Sequence, residues 1–321
     1  MSQLIGRLRR TLAVRTMRAA RAANRSKLAR TLLRGRSVRG LPLVNTLYHS
    51  VFRLGVAPGA EVVYRGVRLT GPAWDNTIMP SISGGYYEQF EVSLFERLAA
   101  LGGHVVDVGA NIGVYACTGA ARLPEGGRLT AFEPVPENLG HLRANVTRNG
   151  LDDRVEIAAV AVGESAGELT LHLSAEQSGK HSADARNAGP GASSVTVPMT
   201  TLDERLGDAG ADLVKIDVEG YEGFVLRGAP TTLAAEPTLM FELHPELQAN
   251  CGFPAGDLLD LVYSTYERVF LIDELHDTLI PCERAYFDRP DAVGLYRSNV
   301  IAAARPAHLA ELTAYIGPAS A

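Results

Sequence analysis

Val105-Val106-Asp107-Val108-Gly109-Ala110-Asn111-Ile112-Gly113-Val114-Tyr115 decides the fold. A β-branched run reads as a buried strand, a glycine turn follows it, and an apolar-periodic segment opens behind the turn, so strand, loop and helix N-terminus succeed one another. Junctions of this kind bind nucleotide-like ligands at the strand ends of open α/β sheets. The loop departs from the dinucleotide fingerprint in two places. Asn111 stands where a second glycine would let the backbone approach a pyrophosphate, and Asp107 places a carboxylate just before the turn, where it repels a diphosphate.

The surrounding chain repeats the alternation. Strand-like 104–108, 128–132 and 154–160 alternate with helical 114–122 and 136–149. Strand-like 213–218, 238–243 and 268–272 then alternate with helical 221–227 and 256–265, and 293–302 closes the series. Strands separated by helices predict parallel βαβ units, hence an α/β fold whose mostly parallel sheet carries helices on both faces. Between the halves, 168–173 and 194–199 read as strands flanking a polar insertion, 174–193, whose Gly, Ser, Ala and Asn content predicts a mobile loop or a substrate flap. Upstream, 61–69 suggests a strand pair and 88–101 a helix carrying Phe90, Leu94, Phe95 and Leu98. The expected organisation is a basic arm (1–60), leading strands and helix (61–101), the main domain (102–302) and a tail (303–321).

Charge is unevenly spread over the 321 residues: thirteen Lys and Arg with no acid through residue 60, then eighteen bases against thirty-six acids, so the two parts carry +13 and −18. Leu4, Leu8 and Leu12 recur at helical spacing among the arginines, which predicts a helical arm. Weak contact of 1–40 with an anionic lipid surface, nucleic-acid attraction, an organellar targeting peptide and an unordered extension all fit that composition. The acidic remainder disfavours a nucleic-acid substrate for the main domain. No apolar run reaches the length of a membrane-spanning helix. Cys117, Cys251 and Cys282 form no Cys-x-x-Cys pair, so buried thiols in a reducing, cytoplasmic setting are expected, without a zinc framework. Oligomeric state is left open.

A carboxylate at Asp107 attracts the ammonium or sulfonium of S-adenosylmethionine, and the small loop residues Gly109, Asn111 and Gly113 admit the ligand close to the backbone. Glu133 ends the second strand twenty-four residues after Gly109, where an acid accepts hydrogen bonds from ribose hydroxyls. Asp107-Val-Gly-Ala-Asn-Ile-Gly113, Phe132-Glu133-Pro134, Thr201-Leu202-Asp203, Lys215-Ile-Asp-Val-Glu-Gly220 and the pair Glu242 and His244 together resemble the FkbM-type methyltransferases over residues 85–300. The resemblance implies a Rossmann-like class I methyltransferase sheet, S-adenosylmethionine as cofactor and a hydroxyl of a sugar, glycan or polyketide-type molecule as acceptor. It also implies that the methionine end lies over the first loop and that adenine sits near 159–163, with Val162 as the candidate contact.

Methyl transfer from a sulfonium is an in-line displacement, and an alcohol acceptor then needs a base or a metal within reach. Alternation puts Lys215, Asp217 and Glu219 on one side of their strand, and Met240, Glu242 and His244 on one side of the next. His244 is the first expectation for the base, with Asp217 second and Glu242 and Lys215 assisting; an ion-pair network is the structural alternative. No metal is expected, although Asp217, Glu242 and His244 are possible Mg or Mn ligands. Glu88 is read as closing over the methionine moiety or serving the helix dipole, and Glu219, Ser193 and Ser194 as acceptor contacts. Asp203 is read as structural, since Thr201 and Glu204 predict a capping box. Two further readings remain beside O-methyl transfer: a cofactor-binding scaffold without turnover, and an NAD-dependent oxidoreductase.

Overall fold

A computed structural model describes residues 59–83, 87–288 and 298–317. The expectations for the basic arm through residue 58 and for the start of the closing strand lie outside the described residues. A hairpin of β1 (Val62–Tyr64) and β2 (Val67–Leu69) leads to helices α1 (Ile78–Ser83) and α2 (Gln89–Ala99). The alternation follows as β3 (His104–Val108), α3 (Val114–Ala120), β4 (Arg128–Phe132), α4 (Pro136–Arg148) and β5 (Val155–Ala158). Then come β6 (Ala161–Val162), β7 (Gly167–Leu173), the short α5 (Ala185–Ala188), β8 (Ser193–Thr200) and α6 (Leu202–Leu206). The second half holds β9 (Leu213–Ile216), α7 (Glu222–Arg227), α8 (Pro230–Ala234), β10 (Thr238–Leu243), α9 (Pro245–Cys251), α10 (Ala255–Tyr263), β11 (Val269–Asp273), β12 (Thr278–Pro281), β13 (Ser298–Ala302) and α11 (Pro306–Thr313).

Eight strands form one sheet in the order β12-β11-β13-β10-β9-β3-β4-β5. The run from β10 to β5 is parallel, and β13 lies antiparallel to both β10 and β11. The strand order reverses between β3 and β9, which opens a crevice above their C-terminal ends. Alternate residues feed two cores. Val105, Leu129, Leu213 and Met240 pack towards α2, α3 and α4, while Val106, Phe132, Val214 and Phe241 pack towards α7, α8 and α10. A sheet covered on both faces needs continuous apolar runs, as β3 and β10 supply. A smaller sheet, β6-β8-β7, stands apart. No helix among the described residues is long and apolar enough to cross a membrane.

Two expectations change. First, β9 ends at Ile216 rather than Val218, and Glu219 turns with φ 52°, so strand alternation does not orient Asp217 and Glu219. Second, the polar insertion is an ordered strap. The Ser178 N–H donates to Asp75 Oδ1 (3.1 Å), the Asn76 N–H to the Glu176 carbonyl (3.2 Å), and Ser182 Oγ to the Glu219 carbonyl (2.7 Å). Composition signals a loop because such residues bond poorly to themselves; here they bond to distant segments instead. The capping box at Thr201 and Glu204 forms, and Asp203 accepts the Thr231 and Thr232 N–H groups at the start of α8.

Gly109 is the tightest point of the crevice. Its φ is +82°, and a Cβ there would lie 2.0 Å from the Asp217 carbonyl oxygen. Gly140, on the exposed side of α4, would meet nothing within 4 Å. Gly109→Ala is therefore expected to lose on the order of 3 kcal/mol or to prevent folding, whereas Gly140→Ala gains about 0.5–1 kcal/mol. Urea denaturation measures both, and equal midpoints for the two variants would contradict the close approach.

Candidate functional site

Two cavities meet at the crevice and share Gly109, Asn111, Gly179, Asp217 and Glu219. The first, of about 600 Å³ including space open to solvent, runs past Glu133 and Asn138 to Val160, Val162, Leu169 and Tyr221. The second, of about 700 Å³, runs past Tyr87, Glu88, Tyr115 and Lys215 to Thr77 and Lys180. Both volumes suit small-molecule sites. The strap contributes Ser178 and His181 to the first and Gln177 and Lys180 to the second, with Gly179 at the junction.

Glu133, at the end of β4, is buried. Its Oε2 accepts the Asn111 N–H and its Oε1 the Val135 N–H, each at 2.8 Å, which leaves lone pairs on both oxygens for hydroxyl donors. Burial pushes its pKa up to about 7, against the pull of those N–H groups. Asp107 lies beneath the loop, fully buried, with the Ala116 N–H and the Lys215 ammonium as its polar neighbours. Its neighbour is Lys215 Nζ at 3.7 Å; burial raises the Asp107 pKa to about 6 although that ammonium opposes the shift. Register explains the pair, since Asp107 and Lys215 face each other across the parallel β3/β9 ladder.

Lys215 Nζ also lies 3.3 Å from Asp217 Oδ2 and 4.3 Å from the centroid of the Tyr115 ring. Burial alone would draw off its proton, but Asp217, Asp107, Glu88 and Glu91 outweigh that and hold its pKa above the ordinary lysine value. Burial and the neighbouring Glu88 push the Glu91 pKa up, which favours its protonated form, and Asn299 donates to it. Tyr115 Oη donates to Glu88 Oε2 at 2.8 Å. Glu88, Asn111 and Glu219 all line the second cavity in the left-handed region, with φ of 32°, 51° and 52°. Such conformations in non-glycine residues persist where surrounding structure imposes them, often at functional sites.

Of the residues expected from sequence, Gly109, Asn111, Glu133, Val162, Asp217, Glu219, Glu88 and Lys215 line the crevice. Gly113 supports it from behind, where a Cβ would meet Leu142 Cδ1 at 2.6 Å. His244 lines neither cavity: it is the N-cap of α9, and its Nδ1 accepts the Leu247 N–H at 3.4 Å. The structure thus places His244, the first expectation for the base, outside both of these cavities. Strand β10 stops at Leu243, so the alternation that carries Glu242 inward does not extend to His244. Ser193 and Ser194 are exposed at the start of β8, paired with Leu173 and His172, and line neither cavity. Glu242 is buried behind the crevice; one carboxylate oxygen from each of Asp217, Glu219 and Glu242 lies within 4.8 Å of the others. Hard oxygen donors at that spacing suit Mg or Mn, and this set replaces His244 with Glu219 among the possible ligands. Sequence reasoning missed Tyr115, Asn138, Ser178 and Tyr221. Tyr115 and Asn138 follow the glycine loop and Glu133 by a few residues, a signal that was available; Ser178 and Tyr221 arrive through tertiary packing.

The donor set fits S-adenosylmethionine. Glu133 offers acceptors to ribose hydroxyls, Val160, Val162, Leu169 and Tyr221 form an apolar slot for a planar base, and more carboxylates than ammonium groups surround the Gly109 end, where a cationic sulfonium is favoured. The family model described as the methyltransferase FkbM domain matches residues 107–286, more than half of the chain. None of the curated proteins compared matches. Solved structures that resemble the chain include a methyltransferase FkbM from Methylobacillus flagellatus KT, with 19% identity, 62% of this chain and 43% of that chain covered, and a TM-score of 0.39. An O-methyltransferase from Bacillus cereus in complex with SAH shows 12% identity, with 67% and 80% covered and a TM-score of 0.36. An rRNA methylase from Streptococcus thermophilus shows 11%, with 68% and 96% covered and a TM-score of 0.38. The chain thus spans less than half the length of the Methylobacillus protein.

Raised carboxyl pKa values have a definite sign. Glu133 and Asp107 bind more protons folded than unfolded, so the stability they contribute is full below about pH 4 and is lost as pH rises through about 6 and 7. A ligand whose hydroxyls bond to ionised Glu133 binds more tightly over the same rise. Calorimetric titration of S-adenosylhomocysteine is expected to show an association constant that climbs towards about pH 7.5, with up to one proton released, and then levels. Glu133→Gln removes most of that slope; a pH-independent affinity in the parent protein would contradict the assignment.

Proposed function

The chain belongs to the FkbM methyltransferase family, and on that premise we propose that it transfers a methyl group from S-adenosylmethionine to a hydroxyl of a sugar, glycan or polyketide-type small molecule. One observation carries the reading: Asp217 lines both cavities, at the junction between the Glu133 side and the Tyr87–Tyr115 side. A carboxylate at that junction stands where an acceptor hydroxyl in the second cavity meets the methyl donor in the first.

When bound, the cofactor supplies an electrophilic methyl group on a positive sulfur. The chain's own residues do the rest. Glu133 accepts the ribose hydroxyls, and Gly109 admits the ligand against the backbone. Asp107, held beneath the loop by Lys215, adds negative potential under the cationic end. On the other side, Tyr87 and Tyr115 offer aromatic faces and Glu88, Glu219 and Lys180 offer polar groups to a hydroxylated acceptor. Asp217 takes the acceptor proton at its carboxylate, while Lys215 holds that carboxylate in place. Glu88 receives the Tyr115 hydroxyl and so fixes the wall of the acceptor cavity. The strap lines both halves, with Ser178 and His181 on one side and Gln177 and Lys180 on the other.

Asp217→Asn is expected to lower kcat by about 10²–10⁴ with the affinity for S-adenosylhomocysteine within about threefold of the parent. His244→Ala loses only what an N-cap contributes, about 0.5–2 kcal/mol of stability, with kcat within about threefold. Labelled methyl transfer to a panel of sugars and sugar-bearing metabolites, read beside thermal melts, tests both, and the reverse pattern returns the base to the imidazole. The same assay after chelation is expected to keep its rate; loss restored by Mg would make Asp217, Glu219 and Glu242 metal ligands.

A further inference from the structure

Two oxygens beside Glu133 lack partners. Asn138 and Ser178 are each 1% exposed, and both line the cavity that holds Glu133. Among the described residues, Asn138 Oδ1 and Ser178 Oγ have no hydrogen-bond partner. Buried polar atoms are rarely left so, and each exception calls for a cause.

The Asn138 amide nitrogen and the Ser178 main chain are engaged. Asn138 Nδ2 donates to the Ser178 carbonyl at 3.3 Å, and Asn111 Nδ2 donates to the same carbonyl at 2.7 Å. The Ser178 N–H donates to Asp75 Oδ1 at 3.1 Å. Turning the Asn138 amide over would set its oxygen against a carbonyl oxygen, so Oδ1 is held as an acceptor without a donor. Glu133 spends lone pairs on the Asn111 and Val135 N–H groups and on the Asn138 side-chain amide. The wall around this point therefore presents spare acceptors on Glu133 and Asn138, and on Ser178 a hydroxyl that can donate or accept.

A group that complements such a wall carries adjacent O–H donors whose oxygens also accept. A vicinal diol does this; a phosphate presents acceptors to acceptors. We infer that Asn138 and Ser178 bind the 2′,3′-diol of the cofactor's ribose opposite Glu133, which makes the strap a binding wall of the cofactor site. This rests on the S-adenosylmethionine reading above and adds to it two residues and a demand for both hydroxyls. Asn111 links the parts: its N–H holds Glu133 while its side-chain amide holds the strap at Ser178.

The test uses the full chain, calorimetric titration and thermal melts. The probes are S-adenosylhomocysteine and its 2′-deoxy and 3′-deoxy forms, applied to the parent, Ser178→Ala and Asn138→Leu. Among the described residues Ser178 Oγ makes no hydrogen bond, so Ser178→Ala should leave the unliganded melting temperature unchanged while lowering affinity for S-adenosylhomocysteine by about fivefold to tenfold. Removing one ribose hydroxyl should weaken the parent by about tenfold and Ser178→Ala distinctly less for at least one deoxy form. Asn138→Leu should show the same non-additivity, judged from that variant's own melt and affinities. Unchanged affinity in both variants, or identical losses for the deoxy forms in parent and variants, overturns the inference and assigns the orphaned oxygens to trapped water. A parent that binds no S-adenosylhomocysteine overturns the methyltransferase reading itself, and this inference with it.

Discussion

The site depends on how closely the loop after β3 approaches the carbonyl of Asp217. The Asp217 N–H bonds to the Val108 carbonyl at 3.0 Å, and no side chain fits at Gly109 against the Asp217 oxygen. That approach closes the far side of the crevice between β3 and β9 and brings Asp217 to the border of both cavities. It also sets the register in which Asp107 and Lys215 face each other. A side chain at Gly109 would push the two strand ends apart and undo three features at once: the close wall for the ligand, the position of Asp217 and the buried ion pair.

Charge follows from that geometry. One ammonium, Lys215, lies among Asp107, Asp217, Glu88 and Glu91, and the resulting negative excess, with burial, raises the Glu91 pKa. Stability alone does not favour such a cluster, because buried ions give up hydration that their pairing barely restores. A cationic ligand changes the balance: its positive charge meets carboxylates that are already held in place and need no reorganisation on binding. The same arrangement opposes a dinucleotide diphosphate, so the crevice selects by charge before it selects by shape.

Much of this was legible in the sequence, for local reasons. Strands β3, β4 and β10 run where β-branched and aromatic residues are continuous, and their limits coincide with the expected ones because Gly, Pro and His end the runs. Glu133 was legible because the end of β4 is itself a local feature. The failures also share a cause. Alternation was carried past Ile216 and Leu243, where the backbone had left the strand, and this gave His244 a direction it does not take. Composition predicts a mobile loop or a substrate flap there and is silent on the bonds that Asp75, Asn111 and Glu219, far away in the sequence, make to it. Ser193 closes the expected loop and Ser194 opens the expected strand, and both are exposed at the start of β8. Local pattern reports where elements lie; it does not report which distant backbone groups will satisfy a polar segment.

The most direct test is a crystal structure of the chain grown with S-adenosylhomocysteine. The account predicts the ribose against Glu133, the methionine end over Gly109, and the sulfur turned to the cavity shared by Asp217 and Tyr115. A ligand seated elsewhere, or a sulfur pointing away from Asp217, would contradict it.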